Sequence, residues 1–367
     1  MKKKAAYFFS VSFLYILTAA CREQEGSRTG NGFADSEWEE ISSAEIEPDF
    51  DYVYQTDDQP DRSTVNVCTE NGIYTMVQTN GVSAEMSGRM LMFYDYEADC
   101  TIPVCSKPDC GHNNTDCNAY FPQQIYPVGE IYFYEDHLFI LKEADGYHSM
   151  EQISLDGAER KNSCQLYRTV TDTYVDDGGV IVTSNEYPRI ILHRGYVYFS
   201  TYYPGNEECG LYRVKLGSNE NAELLCMQEK KRPMLYRLKG YGRYVFFQNG
   251  NWLDEEGTSL DISLYAWDTV ENKVIKVIKD VVRNYTVGGN YLYYFDLENL
   301  DSVMQYNLLT GECRMILDSG GQEAPLETQI FVRDGKLYYS TSSFQKVFDE
   351  EGNLEATLKG DDMISPY

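Results

Sequence analysis

Six short runs of alternating aliphatic and aromatic residues recur along the chain, each entered from a turn residue. They are NGIYTM (71–76), DHLFIL (136–141), RGYVYFS (194–200), GRYVFFQ (242–248), GNYLYYF (289–295) and DGKLYYS (334–340). Aligned on Tyr74, Phe139, Tyr198, Phe246, Tyr293 and Tyr338, they lie 65, 59, 48, 47 and 45 residues apart. Gly, Asp and Asn supply tight turns, while β-branched and aromatic side chains fit a pleated, half-buried surface, so each run predicts a strand.

A second element follows each run. LMFYDYEADCTIPVC, MEQISLDGAERKNSC, LYRVKLGSNENAELLC, LYAWDTVENKVIKVI, VMQYNLLTGECRMIL and FQKVFDEEGNLEATL each read as two strands joined by a polar turn holding Asp, Gly or Asn. Runs such as RIILH (189–193) and TQIFVRD (328–334) supply a further leading strand. Four short strands at a period near 45 residues match the blade of a β-propeller, and six units fit between about residue 64 and residue 359. One four-stranded blade cannot bury both faces, and packing blades around an axis does so while leaving only short edges. The expected fold is therefore all-β, a six-bladed β-propeller of four-stranded blades, with seven blades as the alternative count. Two smaller β-sandwiches are the rival architecture, but they give no reason for a unit to repeat at this spacing. Residues 51–57, DYVYQTD, offer a closing strand for the last blade.

The repeated unit, DGKLYY followed by a D-x-x-G hairpin, resembles that of the TolB-like six-bladed propellers, and within them the lipoprotein group that carries the DUF5050 domain. The resemblance covers most of the chain after its first fifty residues. It implies a propeller fold and a location at the cell surface, without an assigned reaction.

The N-terminus, MKKKAAYFFSVSFLYILTAAC, has three lysines, an apolar run and small residues before Cys21, which is the layout of a secretory signal. Its apolar run is shorter than the roughly 20 residues that span a bilayer. Leu17-Thr18-Ala19-Ala20-Cys21 resembles the lipobox of bacterial lipoproteins, which implies cleavage before Cys21 and a diacylglycerol on its thiol, although Thr18 departs from the usual aliphatic residue. Ordinary signal cleavage is the alternative. Two or three acyl chains suffice for stable anchoring. The expected organisation is a signal peptide over 1–20, a disordered acidic tether over 21–50 and a propeller domain over 51–367. It places the protein outside the cytoplasmic membrane, anchored to it by lipid. Loss of the three signal lysines moves the formal charge from −27 to −30. A chain this acidic repels nucleic acid, and no basic aromatic-rich patch is present.

One segment stands apart from the repeat. Four cysteines and a histidine fall in Cys100–Cys117, where the first spacing is about 20 residues longer than the later ones. The sequence places this insert at about 100–123, leaving the strand at Cys105 and running on into the next blade. A loop without apolar periodicity needs a staple. Cys105, Cys110, His112 and Cys117 offer three thiolates and an imidazole, a set that satisfies tetrahedral zinc, with Gly111 and Asn113-Asn114 permitting tight turns. Disulfides among Cys100, Cys105, Cys110 and Cys117 are the alternative in an exported chain, although they leave His112 unexplained. Four protein ligands leave no open position for water, so a structural metal is expected rather than a catalytic one. Cys68, Cys164, Cys209, Cys226 and Cys313 read as small buried residues.

No phosphate-binding loop, nucleophile elbow or H-E-x-x-H is present, and His137, His148 and His193 stand singly in strand segments. Acid pairs such as Asp176-Asp177 and Asp361-Asp362 lie in polar, turn-like stretches. The sequence therefore points to a non-catalytic binding or scaffolding module for a peptide, glycan or partner protein. A glycoside hydrolase or polysaccharide lyase with its site at the propeller axis is the alternative.

Overall fold

The structure, a computed structural model, describes the pair Gly32–Phe33 and residues 66–364, apart from 80–87, 124, 127–129, 169–170, 176–180, 186–188, 203–207, 230–233, 253–259, 279–281, 297–301, 319 and 321–327. The signal, lipobox, Cys21, most of the tether and the proposed closing strand at 51–57 lie outside the described residues.

The described chain is all-β and is built on six four-stranded antiparallel meanders. Sheet I holds Asn66–Thr69, Gly72–Thr79, Gly88–Asp95 and Cys100–Pro103, and sheet II holds Ile131–Tyr134, His137–Ala144, Tyr147–Ser154 and Arg160–Arg168. Sheet III holds Arg189–His193, Tyr196–Tyr202, Glu208–Lys215 and Glu223–Glu229, and sheet IV holds Met234–Tyr241, Tyr244–Trp252, Leu260–Asp268 and Lys273–Ile278. Sheet V holds Val282–Gly288, Tyr291–Asp296, Ser302–Asn307 and Cys313–Leu317, and sheet VI holds Gln329–Arg333, Lys336–Ser340, Gln345–Phe348 and Leu354–Leu358. Six such sheets support a propeller-like fold.

Every aromatic marker of the repeat falls on the second strand of its sheet and is buried: Tyr74, Phe139, Tyr198, Phe246, Tyr293 and Tyr338. The two-residue turns before these strands explain the spacing signal. Glu135-Asp136, Arg194-Gly195 and Asp334-Gly335 hold positive φ at both positions, the conformation of hairpin turns whose twist matches the strands they join.

Apolar clusters join consecutive sheets. Tyr74 and Met90 pack with Ile131 and Leu138 between sheets I and II, and Leu141 and Met150 pack with Leu192 and Phe199 between II and III. Leu211 and Cys226 meet Val245 and Trp267 between III and IV, Phe246 and Leu264 meet Tyr285 and Leu292 between IV and V, and Phe295 and Val303 meet Ile330 and Leu337 between V and VI. The sixth cluster, Phe331, Tyr338 and Val347 with Ala356 and Leu358, lies within sheet VI. The first strands of sheets I and II, of II and III, of III and IV, and of V and VI touch one another. Gly240 makes one of these contacts possible, because a Cβ there would come within 2.5 Å of the His193 ring.

Two departures from the sequence reading account for the long spacings. Between sheets II and III, Thr171–Val175 and Ile181–Asn185 pair as a separate antiparallel hairpin, which lengthens the second spacing. In sheet I the fourth strand is split. Cys100–Pro103 pairs with Met92–Asp95, the chain leaves, and Tyr120–Pro122 returns to pair with Gly88–Met90 of the same strand. Leu91 marks the break: it accepts from the Val104 amide (2.9 Å) and donates to the Ala119 carbonyl (2.8 Å). The insert is thus an excursion over 104–119 from one edge strand, not a passage into the next blade. The reason is that Leu91 presents one donor and one acceptor that only a returning strand satisfies together.

Gly32–Phe33, within the stretch read as a tether, pairs in parallel with Met227–Gln228 at the edge of sheet III. Cys164 and Cys226 are buried as expected, but Cys68 and Cys313 are exposed, on outward-facing or edge positions of their strands; the Cys209 side chain lies outside the described residues. His148 and His193 are fully buried, and His193 Nε2 donates to the Gly242 carbonyl at 2.8 Å, the packed role that single histidines usually fill.

Candidate metal centre

The excursion brings together the four residues singled out from the sequence. One ligand atom each from Cys105, Cys110, His112 and Cys117 lies within 4.8 Å of the other three. Cys105 stands where the chain leaves the sheet and Cys117 just before it returns, so a bond between them closes the base of the loop. Cys110 and His112 come from its tip.

The tip turns by placing Asp109 (φ 58) and His112 (φ 51) in the left-handed region. Gly111, the residue expected to permit this turn, does not hold such a φ. Asp and His are among the non-glycine residues that tolerate the conformation best. In this pose His112 Nδ1 lies 3.3 Å from Cys117 Sγ, so Nδ1 is the nitrogen offered to the cluster.

The sulfurs already receive the hydrogen bonds that a thiolate ligand needs. Backbone N–H groups of Lys107 and Asn118, with the Cys117 and Cys110 thiols, point at Cys105 Sγ; burial alone would raise its pKa, but these donors bring it below the ordinary thiol value. Cys117 receives the Ala119 N–H, yet burial and the neighbouring sulfurs push it up to about 12. A tetrahedral zinc would need ligand atoms ~3.5–3.8 Å apart, so the Nδ1–Sγ pair at 3.3 Å would open slightly while pairs nearer the 4.8 Å limit would close. Three sulfurs and one nitrogen in a half-buried pocket fit zinc, and all four positions would be filled by protein. Such a centre staples a loop and leaves no site for a reacting water.

Cys100 is exposed and outside the cluster, and Cys100, Cys105, Cys110 and Cys117 are all free thiols in the structure.

A second layer, absent from the sequence reading, docks the excursion onto sheet II. Lys107 Nζ donates to the Asp116 carbonyl (2.5 Å) across the loop. Asn118 Nδ2 donates to the carbonyls of Gly157 (2.8 Å) and Ala158 (3.1 Å) in the hairpin turn of sheet II. Gly157 holds φ +68 and lies so close that a Cβ would come within 2.3 Å of the Val104 carbonyl. Arg160 reaches from the fourth strand of sheet II to the Tyr120 carbonyl (2.8 Å), to Glu151 Oε2 (2.8 Å) and to the Tyr126 hydroxyl (2.5 Å). Glu151 also accepts from Tyr126 (2.6 Å) and from Lys142 (3.1 Å). Burial would raise the Glu151 carboxyl, but the Arg160 charge and these donors hold it below the usual range. Arg160 lies over the Phe121 ring at 4.1 Å, so its guanidinium is both paired and stacked. In sequence, Asp156-Gly157 registers as an ordinary hairpin turn, and nothing there couples it to a cysteine loop some fifty residues earlier.

No family model matches the chain, and no curated protein matches it. Among solved structures, the chain resembles one from a study of two prolyl endopeptidases (TM-score 0.49, 9% identity), covering 81% of this chain and 41% of that one. It also resembles PorZ, a bacterial surface component of the type-IX secretion system of Porphyromonas gingivalis (TM-score 0.42, 12% identity), covering 80% of this chain and 32% of that one. A third is a putative 6-phosphogluconolactonase from Bacteroides uniformis (TM-score 0.39, 12% identity), covering 81% and 85% of the two chains. The chain thus spans less than half of the first two. The fold rests on the strand topology described above.

Proposed function

We propose that the protein is an exported lipoprotein, anchored through Cys21, whose six meanders close as a six-bladed propeller of the DUF5050-like group. It serves as a non-catalytic binding or scaffolding module for a peptide, glycan or partner protein at the cell surface. The observation that carries this reading is how the buried carboxylates are used. Among the described residues two acids are almost wholly buried, Glu151 and Asp268, and both are structural: Glu151 binds Arg160, Lys142 and Tyr126, and Asp268 binds Arg243 (2.5 Å) and caps its own turn at the Val270 amide (2.9 Å). The membrane is reached through the lipid, and the zinc-stapled loop stiffens one rim of the scaffold.

Closure would cover the Phe331–Tyr338–Val347 face of sheet VI with sheet I. The test of the binding role is a glycan and peptide array run on the purified domain beside a turnover assay on whatever binds. Binding without turnover is expected, and turnover that survives purification overturns the reading. For the anchor, Cys21→Ser should release the protein from the membrane fraction; retention there would count against lipidation.

One observation favours the carbohydrate-active alternative. Glu130, at the start of the first strand of sheet II, has its carboxyl pushed up by burial and accepts the Tyr132 hydroxyl. A glycosidase needs a second carboxyl ~5–10 Å away, and Glu130→Gln would abolish any turnover that the assay finds.

A further inference from the structure

Each sheet has a hairpin turn between its third and fourth strands, and in three sheets a glycine of that turn meets the preceding sheet. In sheet III the Gly217 amide donates to Ser163 Oγ at 3.1 Å, on the fourth strand of sheet II. In sheet VI a Cβ on Gly352 would come within 2.6 Å of Ile316, on the fourth strand of sheet V. In sheet II the glycine is Gly157, and it meets Val104, where the broken fourth strand of sheet I leaves for the cysteine loop. The repeat thus presses a turn of the neighbouring sheet against the base of the metal centre.

The contact at Gly157 differs in kind from the other two. Ser163 and Ile316 offer side-chain atoms, which can turn aside, whereas Gly157 lies on backbone. A Cβ there would fall 2.3 Å from the Val104 carbonyl and 2.6 Å from the amide nitrogen of Cys105, one of the four ligands. The far side of the loop completes the hold. Asn118 follows the ligand Cys117; its amide N–H points at Cys105 Sγ, and its side chain donates to the carbonyls of Gly157 (2.8 Å) and Ala158 (3.1 Å). One residue therefore touches a ligand sulfur and the turn together. Arg160, just past the turn, donates from one nitrogen to the carbonyls of Cys117 (3.5 Å), Asn118 (3.4 Å) and Tyr120 (2.8 Å). The turn is itself tied down, with the Gly157 amide on the Ser154 carbonyl (2.9 Å) and the Ala158 amide on Asp156 Oδ1 (2.9 Å). A braced turn against ligand-bearing peptides fixes where their side chains start.

We propose that Gly157 and Asn118 are positioning residues of the metal centre, so that zinc joins sheet II to sheet I as well as stapling its own loop. The inference deepens the zinc reading above and rests on it. Groups that hold metal ligands in place commonly set the affinity by about 10–100-fold. Such coupling is reciprocal: if the turn raises the affinity of the site for zinc, zinc holds the turn by the same factor.

The test is the zinc affinity of the purified protein, measured by competition with a chromophoric chelator, together with the visible spectrum of its cobalt form. Sheet II carries its own control. Gly146 (φ +77) sits in the other hairpin turn of that sheet, where a Cβ would meet nothing within 4 Å. Gly146→Ala therefore imposes the backbone strain of Gly157→Ala (φ +68) without the contact. Gly157→Ala is expected to weaken zinc at least tenfold and to shift the cobalt d–d bands, which report the tetrahedron, while Gly146→Ala alters neither. Asn118→Ala strains no backbone; it should weaken zinc severalfold, and it carries the test if Gly157→Ala does not fold. On adding zinc, amide exchange should slow over 155–160 as well as over 104–119. Equal losses in the two glycine variants would reduce the effect to a weakened sheet II and overturn the proposal. Zinc bound with wild-type affinity and spectrum by both Gly157→Ala and Asn118→Ala would overturn it too, and leave the Cys3His centre standing. A wild-type protein that takes neither zinc nor cobalt removes the centre, and the proposal with it.

Discussion

The junction of sheets I and II and the junction of sheets IV and V are made of different materials. Between IV and V the interface is an apolar cluster in which Phe246, Leu264, Tyr285 and Leu292 are almost wholly buried. Between I and II an apolar cluster is also present, but the excursion over 104–119 is laid against it. There Asn118, Arg160, Glu151 and Tyr126 replace hydrocarbon with hydrogen bonds and charge. The difference teaches how this repeat accepts an insertion. A regular edge strand satisfies its amides along its ladder and buries its alternating side chains for free energy. A strand interrupted by a long loop loses that ladder, and the loop's polar groups must find partners in the neighbouring sheet or in a metal. Polar junctions of this type are brittle, because removing one partner strands another.

The strongest way to break the comparison is therefore at Glu151. Its replacement by alanine leaves Arg160 buried beside Phe121 without its carboxylate, which should cost about 3–5 kcal/mol by chemical denaturation. Leu292→Ala at the IV–V junction, where the side chain is fully buried, should cost about 2–5 kcal/mol through lost transfer and a cavity. The two are separated by a double variant with Arg160→Met. That change should recover much of the loss at Glu151 and none of the loss at Leu292. Additive effects at Glu151 and Arg160 would show that the polar junction is not a coupled network.

Metal removal should be milder and more local. Protein purified without chelator is expected to carry about one zinc per chain, lost in Cys110→Ser and kept in Cys100→Ser, because Cys100 lies outside the cluster. On chelation, amide exchange should accelerate over 104–119 while sheets IV and V keep their protection. Retention of zinc by Cys110→Ser would remove the Cys3His assignment. Uniform loss of protection would show instead that the staple supports the whole fold.

Much of this architecture could be read from the chain because its physical causes are local. Turn residues such as Asp334-Gly335 and the alternating run after them state a hairpin within seven residues, and the structure forms it. The clustering of Cys105, Cys110, His112 and Cys117 is equally legible, since short spacings allow few geometries, and their ligand atoms lie within 4.8 Å of one another. The partners of that loop were not. Gly157 packs on the Val104 carbonyl and Asn118 bonds the Gly157 carbonyl, contacts set by how two sheets stack and by nothing adjacent in sequence. The return of Tyr120–Pro122 to its own sheet was missed for the same reason: TIPVC reads as a finished strand unless Leu91 is known to be waiting for Ala119. Arg237 (φ 53), inside the first strand of sheet IV, is the extreme case, because an arginine carries no local signal for a left-handed φ.

The smallest expected effect concerns a third kind of buried polar group, one that sits within a single sheet. His148 is fully buried on the third strand of sheet II with its ring 4.7 Å from that of Tyr167, and burial lowers its pKa to about 4. In the unfolded chain an ordinary histidine titrates near pH 6.5. Above that value neither state binds the proton and stability is unaffected. As pH falls from about 6.5 towards 4, the unfolded chain takes up a proton that the folded protein refuses, so stability declines. The loss should be about 1 kcal/mol near pH 5.5, and it precedes the titration of Glu151 and Asp268, whose depressed carboxyls weaken the fold only at lower pH. His148→Phe keeps an aromatic ring against Tyr167 and removes the titrating group. It should flatten the stability profile between pH 5 and 6.5 while leaving the acid limb below pH 4 in place. An unchanged slope in that variant would place the loss at another group, and a flattened acid limb would mean that His148 is coupled to the Glu151 network across the sheet.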